Sequence, residues 1–454
     1  MTEIVKWSIF TLYLLFILIF LFLRKDKLHK DFFLLVFLFQ ITIYVFVAPN
    51  IYSMNIEEER VNTYSTIQLL CFLFYVLPLL STYYFLSLKK ENTLEVKKYE
   101  SSLSKLTITK NYKLIFLILL SFLILSFIFV YVALNYNLLF RRIGHEALYD
   151  MTSDVPRLLY YPYKIFSELG LFIIILIYLI KINCKQNLIY FLSKLSLIVY
   201  MITYGGFVLI NNRLQTLILI FTIFGFNLIV KNKKKIFTRN TLIIILISIY
   251  LLKVIVNVRN NFVDNDGNIK IVEVINPFYQ TQLDENDPLS NRLNGIDLIS
   301  IYYPKMFYKG FAYFDPWIHS VKIFFGSILN TDYYIYCKTN MITNARSLIV
   351  KKYLDMSIID YNQCQLTDVF AVMGPFSLFL VSIFTAYLFS IIINGFYYSK
   401  NILKILVFIL MIPFVLEFEK DFMNLAIGWL KYLPIAFIIY KFNIYKFEYK
   451  KPQL

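Results

Sequence analysis

The stretch LLFRRIGHEALYD, residues 138–150, places Arg141 and Arg142 directly after a long apolar run, with His145, Glu146 and Asp150 in the next turns. Single arginines recur at Arg157, at Arg213 in NNR, at Arg259 in VNVRNNF and at Arg292 in NRLNGIDLI. A guanidinium is a planar fork of donors that holds phosphate through two parallel hydrogen bonds and keeps its charge when partly buried. A carboxylate or imidazole beside a phosphate can accept the proton of an attacking hydroxyl. Arg141, Arg142, Arg157, Arg213, Arg259 and Arg292 are therefore candidates to bind a phosphate or pyrophosphate. Glu146, Asp150, Asp297 and His145 are the candidate proton acceptors. Two plainer readings stand beside these. Arginines at helix ends snorkel to lipid headgroups, and charges on a loop are solvated.

Other chemistry is sparse. The three histidines lie far apart without ligand spacing, so no metal site and no cofactor is expected. No glycine-rich phosphate loop occurs, which argues against ATP-driven transport. His319 is a weaker base candidate, and its neighbour Trp317 either stacks on a sugar or anchors its loop at the membrane interface, the anchor being favoured. Cys337 and Cys364 fall in one loop, where an oxidising exterior would permit a disulfide.

The elements that must position these residues are membrane helices. Of the 454 residues 59% are hydrophobic and only 16% charged, with mean hydropathy +0.64. A soluble domain carries about a quarter charged residues. Eleven spans are expected at 7–23, 32–49, 64–87, 113–135, 161–180, 188–209, 213–230, 240–257, 369–394, 402–416 and 422–440. Lysine clusters alternate between loops, at 24–30, 88–112, after 180, at 231–235 and in the C-terminal tail. The positive-inside rule puts those loops in the cytoplasm, the N-terminus outside and the C-terminus inside. The net charge of +16 has the same origin, and no nucleic-acid partner is expected.

The chain thus reads as an all-α polytopic helical bundle in three parts. Residues 1–257 hold eight spans, 258–368 form a large external loop with amphipathic helices, and 369–454 hold three spans and a basic tail. Helical, amphipathic stretches are expected at 347–361, and 296–314 is expected to lie along the interface. Of the ten arginines, only Arg24 and Arg239 fall inside, whereas lysine prefers the inside. The positive-inside rule counts both residue types, so it does not explain the split. An anionic partner at the outer surface does.

This architecture resembles the Wzy-type O-antigen or oligosaccharide repeat-unit polymerases. Local likeness lies in NLLFRR (137–142), NNRLQTLIL (211–219), VNVRNNF (256–262), NRLNGIDLI (291–299) and TDVFAVMGPFSLFL (367–380). The resemblance implies a multi-pass protein of the bacterial inner membrane, with its active site facing the periplasm and a helical membrane fold of the GT-C kind. Its substrate would be an oligosaccharide on undecaprenyl pyrophosphate. The growing chain would pass from that carrier to a new lipid-linked unit without a metal ion. Membrane lipid is the second expected partner, and a chain-length regulator is a further candidate. By this likeness Arg141, Arg213, Arg259 and Arg292 bind the pyrophosphates, with Arg142 and Arg157 added by position. An O-antigen ligase-like transferase binds the same carrier and is the alternative enzyme. A polysaccharide flippase or transporter is the non-enzymatic alternative. It has two similar halves and no large external loop, unlike this chain.

Overall fold

A computed structural model describes residues 2–28, 30–52, 58–93, 106–108, 112–136, 186–211, 220–225, 294–329, 331–342, 344–356, 364–398, 421–423 and 447–449, with short pieces between 156 and 181 and single positions elsewhere after 249. The chain divides into two compact units. Unit 1 comprises residues 1–99, 286–395 and 411–434, and unit 2 comprises 100–285, 396–410 and 435–454.

Long apolar runs form helices because only a helix satisfies its own backbone away from water. Six helices are long and apolar enough to cross a membrane: Ile4–Leu23, Phe32–Ile51, Asn62–Leu88, Ile115–Asn135, Asn187–Tyr204 and Pro375–Ile393. Each matches one of the eleven expected spans. Of the other five, fragments such as 173–178 and 220–225 are described, and these are helical.

Unit 1 is built on its first three spans. Helix α1 (Thr2–Leu23) lies beside α4 (Glu58–Cys71). Between Ile4 and Leu23 only 22% of the span is buried, against 72% for Phe32–Ile51, so the second span is the core element. That second span runs as α2 (Phe32–Ile41), a π-helical segment Thr42–Val47, and α3 (Ala48–Tyr52). The third runs as α4, a π-helical segment Phe72–Val76, and α5 (Leu77–Thr93). A π turn carries an extra residue and shifts the carbonyls out of the α register, which makes them available to other donors. The first π segment uses this freedom, its Tyr44 carbonyl accepting from Gly295 N–H and its Val45 carbonyl from Gln68 Nε2. Tyr13 stacks on Phe46 with ring centroids 4.1 Å apart, and its hydroxyl lies 2.7 Å from Thr42 Oγ1.

At the turn between α1 and α2, Arg24 is fully sheathed. Its Nε and Nη2 donate to the two Asp31 oxygens at 2.8 and 2.9 Å, and Nη1 donates to Ser87. The Tyr83 hydroxyl donates to Asp31 at 2.5 Å. Arg24 and Asp31 are 3% and 0% exposed, so this arginine, assigned to a basic cytoplasmic loop, is a buried fastener of the first three spans.

The second half of the large loop also belongs to unit 1. It contains α8 (Asp297–Lys309), α9 (Asp315–Leu329), α10 (Asp332–Thr339) and α11 (Ala345–Leu348), the last continued by a π-helical segment Ile349–Tyr353. On α8 the buried residues Leu298, Ile299, Tyr302 and Met306 recur at helical spacing, while Phe307 and Tyr308 face outward. The stretch expected to lie along the interface is thus a helix packed by one face on α4 and on α12 (Gln365–Met373).

One expected boundary is corrected. The span expected at 369–394 begins at Pro375, as α13 (Pro375–Tyr398). Gly374 has φ +59, a backbone that ends α12, and Pro375 cannot continue its hydrogen bonding. Residues 365–372 of α12 are instead buried among the loop helices.

In unit 2, α6 (Tyr112–Asn135) packs along α7 (Asn187–Asn211), with Phe122 against Tyr200. Strand β1 (Leu106–Ile108) pairs antiparallel with β2 (Phe447–Tyr449). This pair is the exception to an otherwise helical chain among the described residues. It joins two lysine-rich segments that charge alternation assigns to one side of the membrane.

Candidate functional site

The site grows from the segment Asn294–Asp297, which enters unit 1 beside the second and third spans. Gly295 donates its N–H to the carbonyl of Tyr44, in the first π segment, at 2.9 Å. The approach is as close as a backbone allows. A Cβ at Gly295 would lie 2.9 Å from Cys364 Cβ and 3.0 Å from Tyr44 Cβ. Gln68 of α4 serves the same π segment, its amide donating to Val45 O at 3.0 Å and to Asn50 Oδ1 at 2.7 Å.

The turn Asn294–Ile296 leads straight into α8, so Asp297 stands in that helix's first turn. There the exposed N–H groups and the helix dipole favour a carboxylate. Tyr64 of α4 donates its hydroxyl to Asp297 Oδ1 at 2.5 Å. The same hydroxyl accepts from Asn294 Nδ2 at 3.0 Å. Ser300 Oγ donates to the Asp297 carbonyl at 2.6 Å, closing the first turn. Asp297 is 8% exposed. The arrangement orients one carboxylate and fixes the direction of the Tyr64 proton. It also pins the loop to α4, and both roles use the same bonds.

A second polar node lies where α9, α12 and residues 421–422 meet. Asp368 Oδ2 accepts from Trp317 Nε1 at 2.9 Å, and Oδ1 accepts from the Phe422 N–H at 2.9 Å. Complete burial, reinforced by the nearby Asp421 carboxyl, pushes the Asp368 carboxyl up to about 8. The backbone of 416–418 is tied in as well. Gln365 N–H donates to Phe418 O at 2.7 Å, and Phe418 N–H donates to Gln40 Oε1 at 3.2 Å. Trp317 thus spends its indole N–H inside the protein and packs on Phe314 and Phe422.

His319 is not a free base. Its Nε2 lies 3.1 Å from the Ile342 carbonyl, which can only accept, so Nε2 carries the proton. Nδ1 then accepts from the Tyr333 hydroxyl at 2.7 Å. Burial lowers the imidazole's proton affinity. Cys337 and Cys364 are both free buried thiols, so no bridge joins them. Burial pushes the Cys364 thiol up to about 12, which leaves it inert as a nucleophile.

Among the expected site residues, Asp297 is the one described. Arg141, Arg142, Arg157, Arg213, Arg259, Arg292, His145, Glu146 and Asp150 lie outside the described residues. Arg292 stands two positions before Asn294 in the sequence. Tyr64 and Asn294, which hold Asp297, carried no signal in the sequence. Tyr64 is one of 37 tyrosines, and its partner is 233 positions away. A scan of protein-family models and searches of curated proteins and of solved structures found no match.

Proposed function

We propose that this protein polymerises undecaprenyl-pyrophosphate-linked oligosaccharide units at the periplasmic face of the bacterial inner membrane. Its chain would cross with the N-terminus outside and the C-terminus inside, in a helical fold of the GT-C kind. Arg141, Arg142, Arg157, Arg213, Arg259 and Arg292 would neutralise the pyrophosphates of donor and acceptor, stabilising charge as the carrier leaves. Asp297 would orient or deprotonate the sugar hydroxyl that attacks. Glu146, Asp150 and His145 are the other candidates for that proton.

The observation that supports this reading most directly is the docking of NGIDLI, residues 294–299. This segment folds against the second and third spans, with Asp297 held at 2.5 Å by Tyr64. Arg292 stands two positions before this docked segment in the sequence, and the proposal places it with Asp297 at the headgroup.

The test is genetic and uses the intact chain. Arg213→Ala and Arg292→Ala are expected to abolish chain growth while single-unit-capped lipid A still accumulates. Long chains retained in both variants would sink the arginine assignment. In a deletion strain, single-repeat glycans indicate the polymerase. Free long polymer on the carrier indicates a ligase, and repeat units trapped in the cytoplasm indicate a flippase.

A further inference from the structure

The corner between α8 and α9 exposes four aromatic side chains. Phe307, Tyr308, Tyr313 and Phe314 are 69%, 91%, 59% and 49% exposed. A cluster of bare rings on an extramembrane segment marks a surface that meets something apolar.

The corner is fixed at a definite height. Ala312 donates its N–H to the Ala371 carbonyl at 2.9 Å. Phe311 lies over Gly374, where an added Cβ would come within 2.9 Å of its ring. Gly374 immediately precedes Pro375, the first residue of α13. The corner is therefore held at the level where this apolar helix begins. Tyr313 has φ +48, a left-handed backbone that a bulky residue adopts only when its surroundings impose it.

The exposed rings are also continuous with the outer face of α13. Phe314 meets Trp317 at 5.7 Å, Trp317 meets Phe422 at 5.7 Å, and Phe422 meets Phe384 at 6.2 Å. Phe384 lies within α13 and is itself 44% exposed, beside the exposed Phe379 and Leu380. An apolar ridge thus runs from the corner down the face of a helix long enough to cross a membrane.

We propose that the α8–α9 corner is a lipid-interface anchor, with Phe307, Tyr308, Tyr313 and Phe314 seated in the headgroup–acyl boundary of the leaflet where α13 starts. Tyrosine suits that depth because its ring is apolar and its hydroxyl stays wet. The inference rests on α13 spanning the membrane and does not depend on the polymerase reading. It gives the corner a use. Asp297 opens α8 and Phe307 lies ten residues on, about 15 Å along the axis. Anchoring one end of α8 in lipid fixes the height of the carboxylate at its other end.

The test uses the full chain in phosphatidylcholine vesicles. Tyr308→Trp and Phe307→Trp are each compared with the parent, so that the native tryptophans cancel. The added emission should be blue-shifted, quenched by phosphatidylcholine brominated high on its acyl chains, and spared by aqueous iodide. Quenching by iodide without a response to the brominated lipid would overturn the proposal, because the corner would then lie in water. Protection from both quenchers would also overturn it, because protein such as a second copy of the chain would then cover the corner. Tyr308 is nearly fully exposed, so its replacement leaves the packing intact, and Phe307→Trp repeats the measurement at a second site.

Discussion

The Tyr64 hydroxyl donates to Asp297 at 2.5 Å, across a sequence separation of 233 residues. This bond ties the third span to the first turn of the loop helix α8, and it orients Asp297, one of the expected proton acceptors. Its two roles separate on mutation. Tyr64→Phe keeps the carboxylate but removes the donor, leaving Asn294 without its partner hydroxyl. It should destabilise the protein by about 1–3 kcal/mol, read as a lower midpoint in thermal unfolding in detergent. Asp297→Asn keeps an acceptor for Tyr64 but removes the base. It should leave the protein folded and stop chain growth. Wild-type glycan ladders from Asp297→Asn would reduce this residue to a docking pin.

Gly295 should tolerate no side chain. With Cys364 Cβ and Tyr44 Cβ at 2.9 and 3.0 Å from the position of a new Cβ, Gly295→Ala has to push α12 or the second span away. The expected cost of overpacking is about 1–3 kcal/mol. Limited proteolysis should then cut the loop near residue 294 faster than in the parent.

Arg24 and Asp31 should behave as a buried pair. Removing either partner leaves a charge with nothing to balance it, at a cost of about 3–5 kcal/mol. Arg24→Met combined with Asp31→Leu removes both charges together and should recover most of that loss. A double-mutant cycle on thermal stability measures the coupling. Additive effects would show that the pair does not act as a unit.

Asp368 should make stability fall as pH rises. Burial and Asp421 raise its folded affinity for a proton from the ordinary 3.8 to about 8. The folded state therefore binds the proton more tightly than the unfolded state. That contribution is fully present below about pH 4 and is lost as pH rises through about 8. Asp368→Asn removes the titration and should flatten the unfolding midpoint between those limits. It should also lower the midpoint at acid pH, because the amide –NH2 cannot accept from either Trp317 or Phe422. An unchanged pH profile in the variant would assign the dependence to another group.

Much of this fold is legible in local patterns. Uninterrupted apolar runs define helices by period and length, and six of them match helices long enough to cross a membrane. Leu298, Ile299, Tyr302 and Met306 recur at helical spacing and form the buried face of α8, but the sequence expectation of an interfacial stretch did not show that α4 and α12 cover that face. The π segments at 42–47 and 72–76 are not legible, since one extra residue in a turn leaves no compositional mark on a uniformly apolar run. The break at Gly374 was missed because hydropathy continues smoothly across it, while the φ of +59 is a tertiary fact.

The sequence by itself determined an apolar helical chain with lysine-rich loops in alternation and most arginines in the segments between them. Those properties depend on composition and spacing along the chain. The tertiary structure decided which polar groups are spent on packing. Arg24 reads as a loop cation until Asp31, Tyr83 and Ser87 enclose it. Trp317 and His319 read as surface chemistry until their nitrogens meet Asp368 and the Ile342 carbonyl. Asp297 reads as one acid among several until Tyr64 reaches it. A buried hydrogen bond joins groups by distance in space, and residues hundreds of positions apart in the chain give no local sign that they will meet.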